Sequence, residues 1–497
     1  MTRALRSTSP LLAALLLATL VTAASAQSVS PLEKLPYSGG ILVGRAIRAG
    51  RIQLPAPSTR PEGPTTFNCS PAPCALPNVN ASMSSVLANE TPIRVNPNNS
   101  QQFITGANDY ACAGIQGFYA TSDGGNTFTR NCLPTLSGAS GDGDPGIAYD
   151  LNGTAYATGI DSTASGTVIV ISTSTNNGST WGKAVQAVPN FLGGGADKDW
   201  LEADTSPNSP FKNNLYISTT QFASNNNSTI LVSHSTDGGK TWTNVTADST
   251  QVYPIVDQFS DLAVSANGNV YVSWQRCSAT GPTGDCGGTL ATMYFAKSTD
   301  GGNTWSAPAQ IVTANLVADG CGCAFYGSLP NTFERISNIP VIAIDRSNTS
   351  SRGTLYVTYY NWTGTQMKVY VASSTNDGAS WISRPVAPNS ATNDQFFPWV
   401  NVAGNGEVGV SWMDRRNDPA NVNYEAFTAF SNNHGASFSK NFDLSAAPSN
   451  PFNDGFGGFF IGDYTGNDWV GINRLLVVYT DTTTGIDQDF LVGERIR

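Results

Sequence analysis

A short polar stretch that ends in an aromatic residue occurs six times in this sequence. Its approximate pattern is Ser-x-Asp-x-Gly-x-Thr-Trp, and each copy follows an apolar stretch that alternates with period two. The copies lie 53 to 76 residues apart and are centred on Asp123, Asn176, Asp237, Asp300, Asn376 and Asn433. A strand-based repeat of this length restricts the chain to an array of small sheets with variable loops.

Each repeat is typical of an antiparallel meander. DLAVSANGNVYVSWQR (261–276) predicts two strands joined by an Asn-Gly turn, and ATMYFAKSTDGGNTWSAP (291–308) predicts a third strand, the repeated turn and a fourth strand. In the repeated turn we expect the Asp or Asn side chain to accept backbone hydrogen bonds, the glycine to be left-handed and the aromatic ring to be buried. Because Asn replaces Asp in three copies, the turn is predicted to be structural and not catalytic.

The six stretches resemble the Asp-box, or BNR, repeats of the sialidase-like β-propellers, and the resemblance covers roughly residues 90–497. It implies an all-β propeller of four-stranded antiparallel blades. Six turns suggest six blades. Seven are preferred, however, because seven innermost strands can be found, at 91–97, 144–150, 199–204, 261–265, 339–345, 397–403 and 458–466. The seventh blade lacks a fourth strand, which we expect residues 39–48 or a nearby N-terminal segment to supply.

The first residues indicate export. Arg3 and Arg6 precede an apolar run from Leu11 to Val21 and the small residues Ala24-Ser25-Ala26, which is the pattern of a signal peptide. We therefore predict a signal peptide at 1–26, an N-terminal arm at 27–89 and a propeller at 90–497. No later segment is apolar enough to span a bilayer, so the protein is predicted to be secreted, periplasmic or at the cell surface.

The eight cysteines favour local disulfides in an oxidising compartment. Their spacing suggests four pairs: Cys69–Cys74, Cys112–Cys132, Cys277–Cys286 and Cys321–Cys323. Zinc is the alternative, but the chain has only two histidines, and both lie in or beside repeated turns.

Charge and residue types narrow the class of partner. The formal net charge is −10, which argues against nucleic acid. Aromatic residues, among them Trp399, punctuate the predicted loops and strand ends, as suits a sugar ring. Together with the resemblance, this predicts an extracellular glycan or glycoprotein as the partner.

The loops that lead into the innermost strands are acidic, and in a propeller they converge on one face. Three interpretations remain open for these carboxylates. Two of them could act on a glycosidic bond; several could bind Ca²⁺, for which Asp144, Asp257 and Asp463 are the candidates; or each could cap its own turn. Any cofactor is therefore limited to a possible Ca²⁺.

Four scarce arginines are predicted on the same face: Arg276, Arg335, Arg415 and Arg416. They could bind a substrate carboxylate with paired hydrogen bonds, as the resemblance to sialidases implies. The alternative is that they form ion pairs with the acidic loops.

The resemblance also implies a tyrosine nucleophile activated by a glutamate, and Tyr464 and Glu202 are the candidates here. Asp199 or Asp394 is the candidate acid. The sequence therefore favours a sialidase-like glycoside hydrolase, with a non-catalytic propeller that binds glycan or protein as the alternative.

Overall fold

The computed structural model describes residues 30–54, 74–82, 87–483 and 489–496. The predicted signal peptide and Cys69 lie outside these residues. Within them, helical structure is confined to α1 (Gly39–Arg48) and one 3-10 turn (Pro451–Asn453). None of the described helices has the length and apolar character needed to cross a bilayer. All other regular structure is β.

The strands form seven successive antiparallel units, numbered along the chain. Strand β1 (Cys74–Asn80) precedes unit 1 in the chain. Unit 1 contains β2 (Ala88–Asn89), β3 (Ile93–Val95), β4 (Phe103–Asp109), β5 (Gly117–Thr121) and β6 (Thr129–Cys132). Unit 2 contains β7 (Ser140–Tyr149), β8 (Ala155–Thr163), β9 (Gly166–Ser174) and β10 (Val185–Val188). Unit 3 contains β11 (Gly193–Ala203), β12 (Leu215–Ala223), β13 (Ser228–Ser235) and β14 (Thr243–Thr246).

The remaining units follow the same plan. Unit 4 contains β15 (Ile255–Val264), β16 (Val270–Ser278), β17 (Leu290–Ser298) and β18 (Ala309–Asn315). Unit 5 contains β19 (Val341–Ile344), β20 (Leu355–Trp362), β21 (Met367–Ser374) and β22 (Ile382–Pro385). Unit 6 contains β23 (Gln395–Val402), β24 (Val408–Asp414), β25 (Glu425–Ser431) and β26 (Phe442–Asp443), and unit 7 contains β27 (Gly466–Val470), β28 (Arg474–Asp481) and β29 (Asp489–Ile496).

In units 2 to 7, strands that are neighbours in sequence are neighbours in the sheet, whereas in unit 1 both β2 and β3 pair with β4. Units 2 and 3 are joined into one larger sheet by a single parallel bridge between Gly195 and Thr167. We call β3, β7, β11, β15, β19, β23 and β27 the first strands. Each first strand contacts the first strand of the next unit, and β27 contacts β3. Apolar side chains fill the space between successive units in one large core and two smaller ones.

The fourth strand of unit 7 comes from the N-terminal part of the chain. Strand β1 pairs with β29 in the order β1-β29-β28-β27. The expectation that residues 39–48 supply it is wrong, because that segment is helix α1. Its apolar side chains Leu42, Val43 and Ala46 recur at helical spacing, and all three are buried.

The innermost strand predicted at 458–466 is also wrong, because the strand begins at Gly466. The preceding segment is a loop organised by Asp454. Its carboxylate accepts four backbone N–H groups, from Phe456, Gly458, Phe459 and Phe460, at 2.8 to 2.9 Å. Donors bound to a side chain are not available to a β-ladder.

The six repeated turns share one hydrogen-bonding arrangement, and each joins the third strand of a unit to the fourth. In the turn at Asp237, one carboxylate oxygen accepts the backbone N–H of Thr241 at 3.0 Å and the other accepts its hydroxyl at 2.6 Å. Asn176 likewise accepts the N–H of Thr180 at 3.0 Å. The glycines are left-handed, as expected, for example Gly238 at φ 74°. Burial of the aromatic ring is confirmed only for Phe128, since the other five rings are partly exposed.

Disulfides join three of the four predicted pairs: Cys112–Cys132, Cys277–Cys286 and Cys321–Cys323, with Cα–Cα distances of 5.5, 5.8 and 5.2 Å. The fourth pair involves Cys69 and is not described. Because these six thiols are oxidised, they cannot serve as zinc ligands, and the disulfide interpretation holds for them.

Candidate functional site

The seven first strands surround a channel, and bulges shape the end at which these strands begin, which we call the mouth. In four first strands the pairing with the second strand shifts register, at one point in β15 and β23 and at two points in β7 and β11. In each of these strands one shift contains a left-handed residue other than glycine: Asp144 (φ 54°), Lys198 (φ 45°), Phe259 (φ 64°) and Phe397 (φ 47°). Such backbone strain costs roughly 1–3 kcal/mol per residue and persists only where the surrounding structure imposes it.

The mouth contains a buried group of charges, which we call the mouth cluster: Glu90, Asp144, Asp197, Lys198, Asp199 and Asp463. All six are fully shielded from solvent. Burial, with the nearby Asp144 carboxylate, raises the pKa of Glu90 well above its usual range. Burial also raises the pKa of Asp199 to about 7, although the Thr158 hydroxyl and Lys198 oppose the shift.

Lys198 supplies the positive charge inside this cluster. Its ammonium nitrogen donates to the carbonyl of Asp199 at 3.2 Å. It also lies 4.1 Å from the ring centroid of Tyr464 and 5.0 Å from that of Trp200, within cation–π range. Trp200, Tyr464 and Trp399 contact one another, and we call these three rings the aromatic layer.

Helix α1 and the residues before it cover the mouth. Ser38 N donates to Asp197 at 2.8 Å, and Gly39 N donates to Asp463 at 2.7 Å. At the other end of the helix, Arg48 forms an ion pair with Asp142. The face that sequence analysis assigns to a ligand is therefore filled by the chain itself.

The opposite end of the channel holds an open cavity of about 420 Å³, and residues from all seven first strands line it. Arg94 lies in this cavity and donates to Glu202 at 2.6 Å. Asp261 and Asp468 also line it, with Trp200 and Trp399 of the aromatic layer. Although burial lowers the pKa of Arg94, the carboxylates of Glu202, Asp468 and Asp261 raise it above its usual value.

The three carboxylates of the cavity differ in their surroundings. Asp468 accepts the N–H of Val95 at 2.8 Å and the amide of Asn401 at 3.0 Å. Asp261 accepts the N–H of Ile342 at 2.7 Å through one oxygen, and its other oxygen has no hydrogen-bond partner among the described residues. Burial raises the pKa of Asp261 to about 7. Beside the ion-paired Glu202, a carboxyl that holds its proton near neutral pH is the arrangement that acid–base chemistry requires.

The predicted catalytic residues divide between the two ends. Asp199 lies in the mouth cluster, whereas Glu202 lines the cavity. The Tyr464 hydroxyl donates to the carbonyl of Pro145 at 3.1 Å and Glu202 binds to Arg94, so the structure does not join the two as nucleophile and activator.

Asp394 is occupied elsewhere. One oxygen accepts the N–H of Met367 at 2.7 Å, and the other accepts the amide of Asn421 at 2.6 Å. These contacts hold Asp394 between units 5 and 6, and it shares none of them with Asp199.

The four predicted arginines bind to four different sets of partners. Arg276 pairs with Asp257 and Asp248, Arg335 with Asp463, Arg415 lies 3.9 Å from Asp394, and Arg416 pairs with Asp414. Arg415 is fully buried, which lowers its pKa to about 10. The interpretation in which the arginines pair with acidic loops fits these contacts. Trp399, in contrast, lines the cavity.

The three predicted metal ligands are not brought together. Asp144 and Asp463 belong to the mouth cluster, whereas both oxygens of Asp257 accept from Arg276, at 2.7 and 2.8 Å. Among the described residues, only Asp319, Cys321 and Cys323 place three potential ligand atoms within 4.8 Å of one another. The two cysteines form a disulfide, so this group does not fit a metal. A Ca²⁺ site stays a prediction.

Sequence analysis missed Arg94, Lys198 and the covering helix. Arg94 stands in PIRVNP (92–97), an innermost strand that the sequence does predict, and period-two alternation could have placed it in the channel. For the helix, Gly40 and Gly44 provide the signal, because glycines four residues apart allow one face of a helix to approach another backbone closely.

No family model matches this chain, and no curated protein matches it. Among solved structures, it is similar to a Hadza microbial sialidase, Hz136, with 12% identity, a TM-score of 0.45, and coverage of 70% of this chain and 65% of that chain. It is also similar to an α-L-arabinanase of Penicillium chrysogenum (15% identity, TM-score 0.46) and to the GH93 α-L-arabinofuranosidase of Fusarium graminearum (14%, 0.45). Each of these covers 71% of this chain and 92% of its own. At this distance, function has to be argued from the chain's own residues.

Proposed function

We propose that the protein is an exported, sialidase-like β-propeller whose seven units are its blades, and that it is a glycoside hydrolase acting on extracellular glycans. The observation that carries the proposal is the open cavity. It offers three carboxyl groups, two guanidinium groups and three indole rings around a space of about 420 Å³, within the usual size range of small-molecule sites.

Asp261 supplies the acid in this proposal. Burial in the channel wall raises its pKa to about 7, so it holds a proton at neutral pH and can donate it to a leaving oxygen. The oxygen that accepts from Ile342 fixes the carboxyl group, and the other oxygen has no hydrogen-bond partner among the described residues.

Glu202 supplies the second carboxylate. The bond from Arg94 fixes its position, as a base or a nucleophile requires. Asp468, held by Val95 and Asn401, remains as an acceptor for sugar hydroxyls. Three carboxylates against one central guanidinium suit a neutral or cationic sugar better than a carboxylated one.

The alternative is a non-catalytic propeller that binds glycan or protein. The close bond between Arg94 and Glu202 favours it, because both groups are already satisfied without a ligand. The two functions predict different effects of replacing these carboxylates. In a hydrolase the replacement lowers turnover, whereas in a binding protein it lowers only affinity.

The test is an assay of the purified full-length protein against fluorogenic glycosides, including a sialoside and an α-L-arabinofuranoside. We expect release from at least one, and a loss of about a hundredfold or more in kcat/KM for Glu202→Gln and for Asp261→Asn. Since Asp261 must be protonated to act as the acid, wild-type activity should fall as the pH rises above about 7.

Glu33→Gln is the matched control, because Glu33 lies near helix α1 and pairs with Arg45 and Arg51 at an exposed position. It should retain wild-type activity. If no glycoside is cleaved but sugars bind, and both cavity variants weaken that binding, the binding function replaces the hydrolase.

A further inference from the structure

Residues 36–38 form a bent segment in the mouth that leads into Gly39, the first residue of α1, and side chains of the surrounding units bind the backbone of these four residues. Two carbonyls accept and two N–H groups donate, so four consecutive residues make five such bonds. They are Gln258 to the Pro36 carbonyl (3.1 Å), Tyr326 to the same carbonyl (2.8 Å), Arg335 to the Tyr37 carbonyl (3.1 Å), Ser38 N to Asp197 (2.8 Å) and Gly39 N to Asp463 (2.7 Å).

One side chain of this segment is anchored as well. The Tyr37 ring packs against Phe222 of unit 3, with 4.9 Å between centroids. The guanidinium of Arg45, in helix α1, lies over the Tyr37 ring at 4.3 Å from its centroid. An aromatic anchor flanked by paired backbone groups is how peptide-binding sites hold an extended ligand.

The helix that follows is adapted to the same surface through its glycines. A Cβ atom on Gly40 would lie 2.5 Å from the backbone oxygen of Asp142, and one on Gly44 would lie 2.2 Å from the Asp142 carboxylate. Glycine inside a helix is unfavourable by roughly 1 kcal/mol relative to alanine. Three glycines in ten residues therefore indicate that close approach to the ring determines this sequence.

The segment also covers buried carboxyl groups to which it donates no hydrogen bond. The N–H groups of Ser38 and Gly39 donate to Asp197 and Asp463, just as the N–H groups at a helix N-terminus donate to a bound anion. Glu90, Asp144 and Asp199 lie beneath and are fully buried. Both carboxylate oxygens of Asp144 have no hydrogen-bond partner among the described residues.

We infer that the mouth is a peptide-binding site, that residues 36–44 are its ligand supplied by the same chain, and that this ligand is exchangeable. The site recognises the backbone of a bent segment with an aromatic residue before a glycine-rich helical turn. It would accept the same segment from a separate molecule. This inference does not depend on the hydrolase proposed for the cavity.

The experiment uses the full chain with a protease recognition sequence inserted between residues 55 and 66. After cleavage the N-terminal fragment is held by non-covalent contacts alone. The cleaved protein is mixed with an excess of a fluorescent peptide comprising residues 30–54 and separated by size exclusion. We expect the peptide to enter the protein at one per chain, and unlabelled peptide to compete with it.

Two peptide variants test the contacts. Ser38 has φ −59°, which proline can adopt, so Ser38→Pro removes the N–H to Asp197 with little change in local backbone. It should weaken competition about ten- to a hundredfold, because the buried Asp197 carboxylate loses one of its donors and keeps only Gln258 and the N–H of Lys198. Ser38→Ala keeps that N–H and should compete within about twofold of the native sequence.

Two results would overturn the inference. One is that the cleaved protein takes up no labelled peptide after prolonged incubation, although its circular dichroism matches that of the intact chain. The other is that the Ser38→Pro peptide competes as well as Ser38→Ala, which would mean that uptake does not use the mouth. Glycosidase activity of the same samples reports on the cavity separately.

Discussion

The two ends of the channel contain similar side chains but differ in what reaches them. At the mouth, five carboxyl groups and one lysine lie under the chain's own residues 36–44, and all six groups are fully buried. At the cavity, three carboxyl groups and two arginines, Arg94 and the exposed Arg346, border an open space of about 420 Å³. The comparison teaches that a convergence of acidic residues does not by itself locate a ligand site. Access from solvent decides whether such a group of side chains can bind a ligand. At the mouth, a segment distant in sequence controls that access.

The largest difference between the ends is expected from their arginines. Arg335 bonds to Asp463 at 2.9 Å and to the Tyr37 carbonyl at 3.1 Å. Arg335→Met leaves a buried carboxylate without its partner and should lower the free energy of unfolding by about 3 kcal/mol. Arg346→Met, at the exposed rim of the cavity, should change it by less than about 0.5 kcal/mol. Denaturant unfolding of both variants measures this, and equal losses would contradict a mouth held together by its segment.

Glycine replacements should have the next largest effect. Gly40→Val places side-chain atoms against the backbone of Asp142 and should cost about 2–3 kcal/mol of stability by overpacking. Gly50→Asn is the control, because Gly50 is left-handed and a Cβ atom there would meet nothing within 4 Å. Asparagine tolerates that backbone. Thermal melting of the two variants checks the prediction. A Gly40→Val protein with the same melting temperature as the control would show that α1 does not need close contact with the backbone of Asp142.

The smallest expected effect depends on pH. The pKa of Asp199 is raised by burial to about 7, so the folded protein retains a proton that the unfolded chain releases near pH 4. The sign follows from proton binding: stability is highest below the unfolded-state pKa and falls as the pH rises from about 4 to 7. Asp199→Asn cannot lose that proton. Its melting temperature relative to wild type should therefore be higher at pH 8 than at pH 5, by about 2–4 °C.

A melting difference that does not change between pH 5 and pH 8 would contradict the burial of Asp199 under the segment. Glu33→Gln is again a suitable control, since the side chain of Glu33 is 41% exposed and its replacement should leave the pH dependence as it is in wild type.

Local features of the fold could be predicted from the sequence because they depend on residues that are close together in the chain. The repeated turn at Asp237 needs only its own threonine and glycines, and Cys277 pairs with Cys286 nine residues away. Strands with clear alternation, such as β16 and β24, lie where the pattern predicts them. The failures occurred where a single side chain reorganises a segment, as Asp454 does to the loop before Gly466.

The residues of the candidate site could be predicted from the sequence only in part. The sequence places Glu202 within the innermost strand predicted at 199–204, and Glu202 lines the cavity. The sequence could not show that Arg94, more than a hundred residues earlier, is the partner of Glu202, because that contact exists only once units 1 and 3 are brought together.

By itself the sequence determined a repeated antiparallel meander, its turn chemistry and its local disulfides, since each depends on backbone geometry and contacts within a few tens of residues. Only the tertiary structure decided which end of the channel is closed. The residues concerned, among them Ser38, Asp197 and Asp463, are separated by up to 424 positions, and no local pattern encodes a contact of that range.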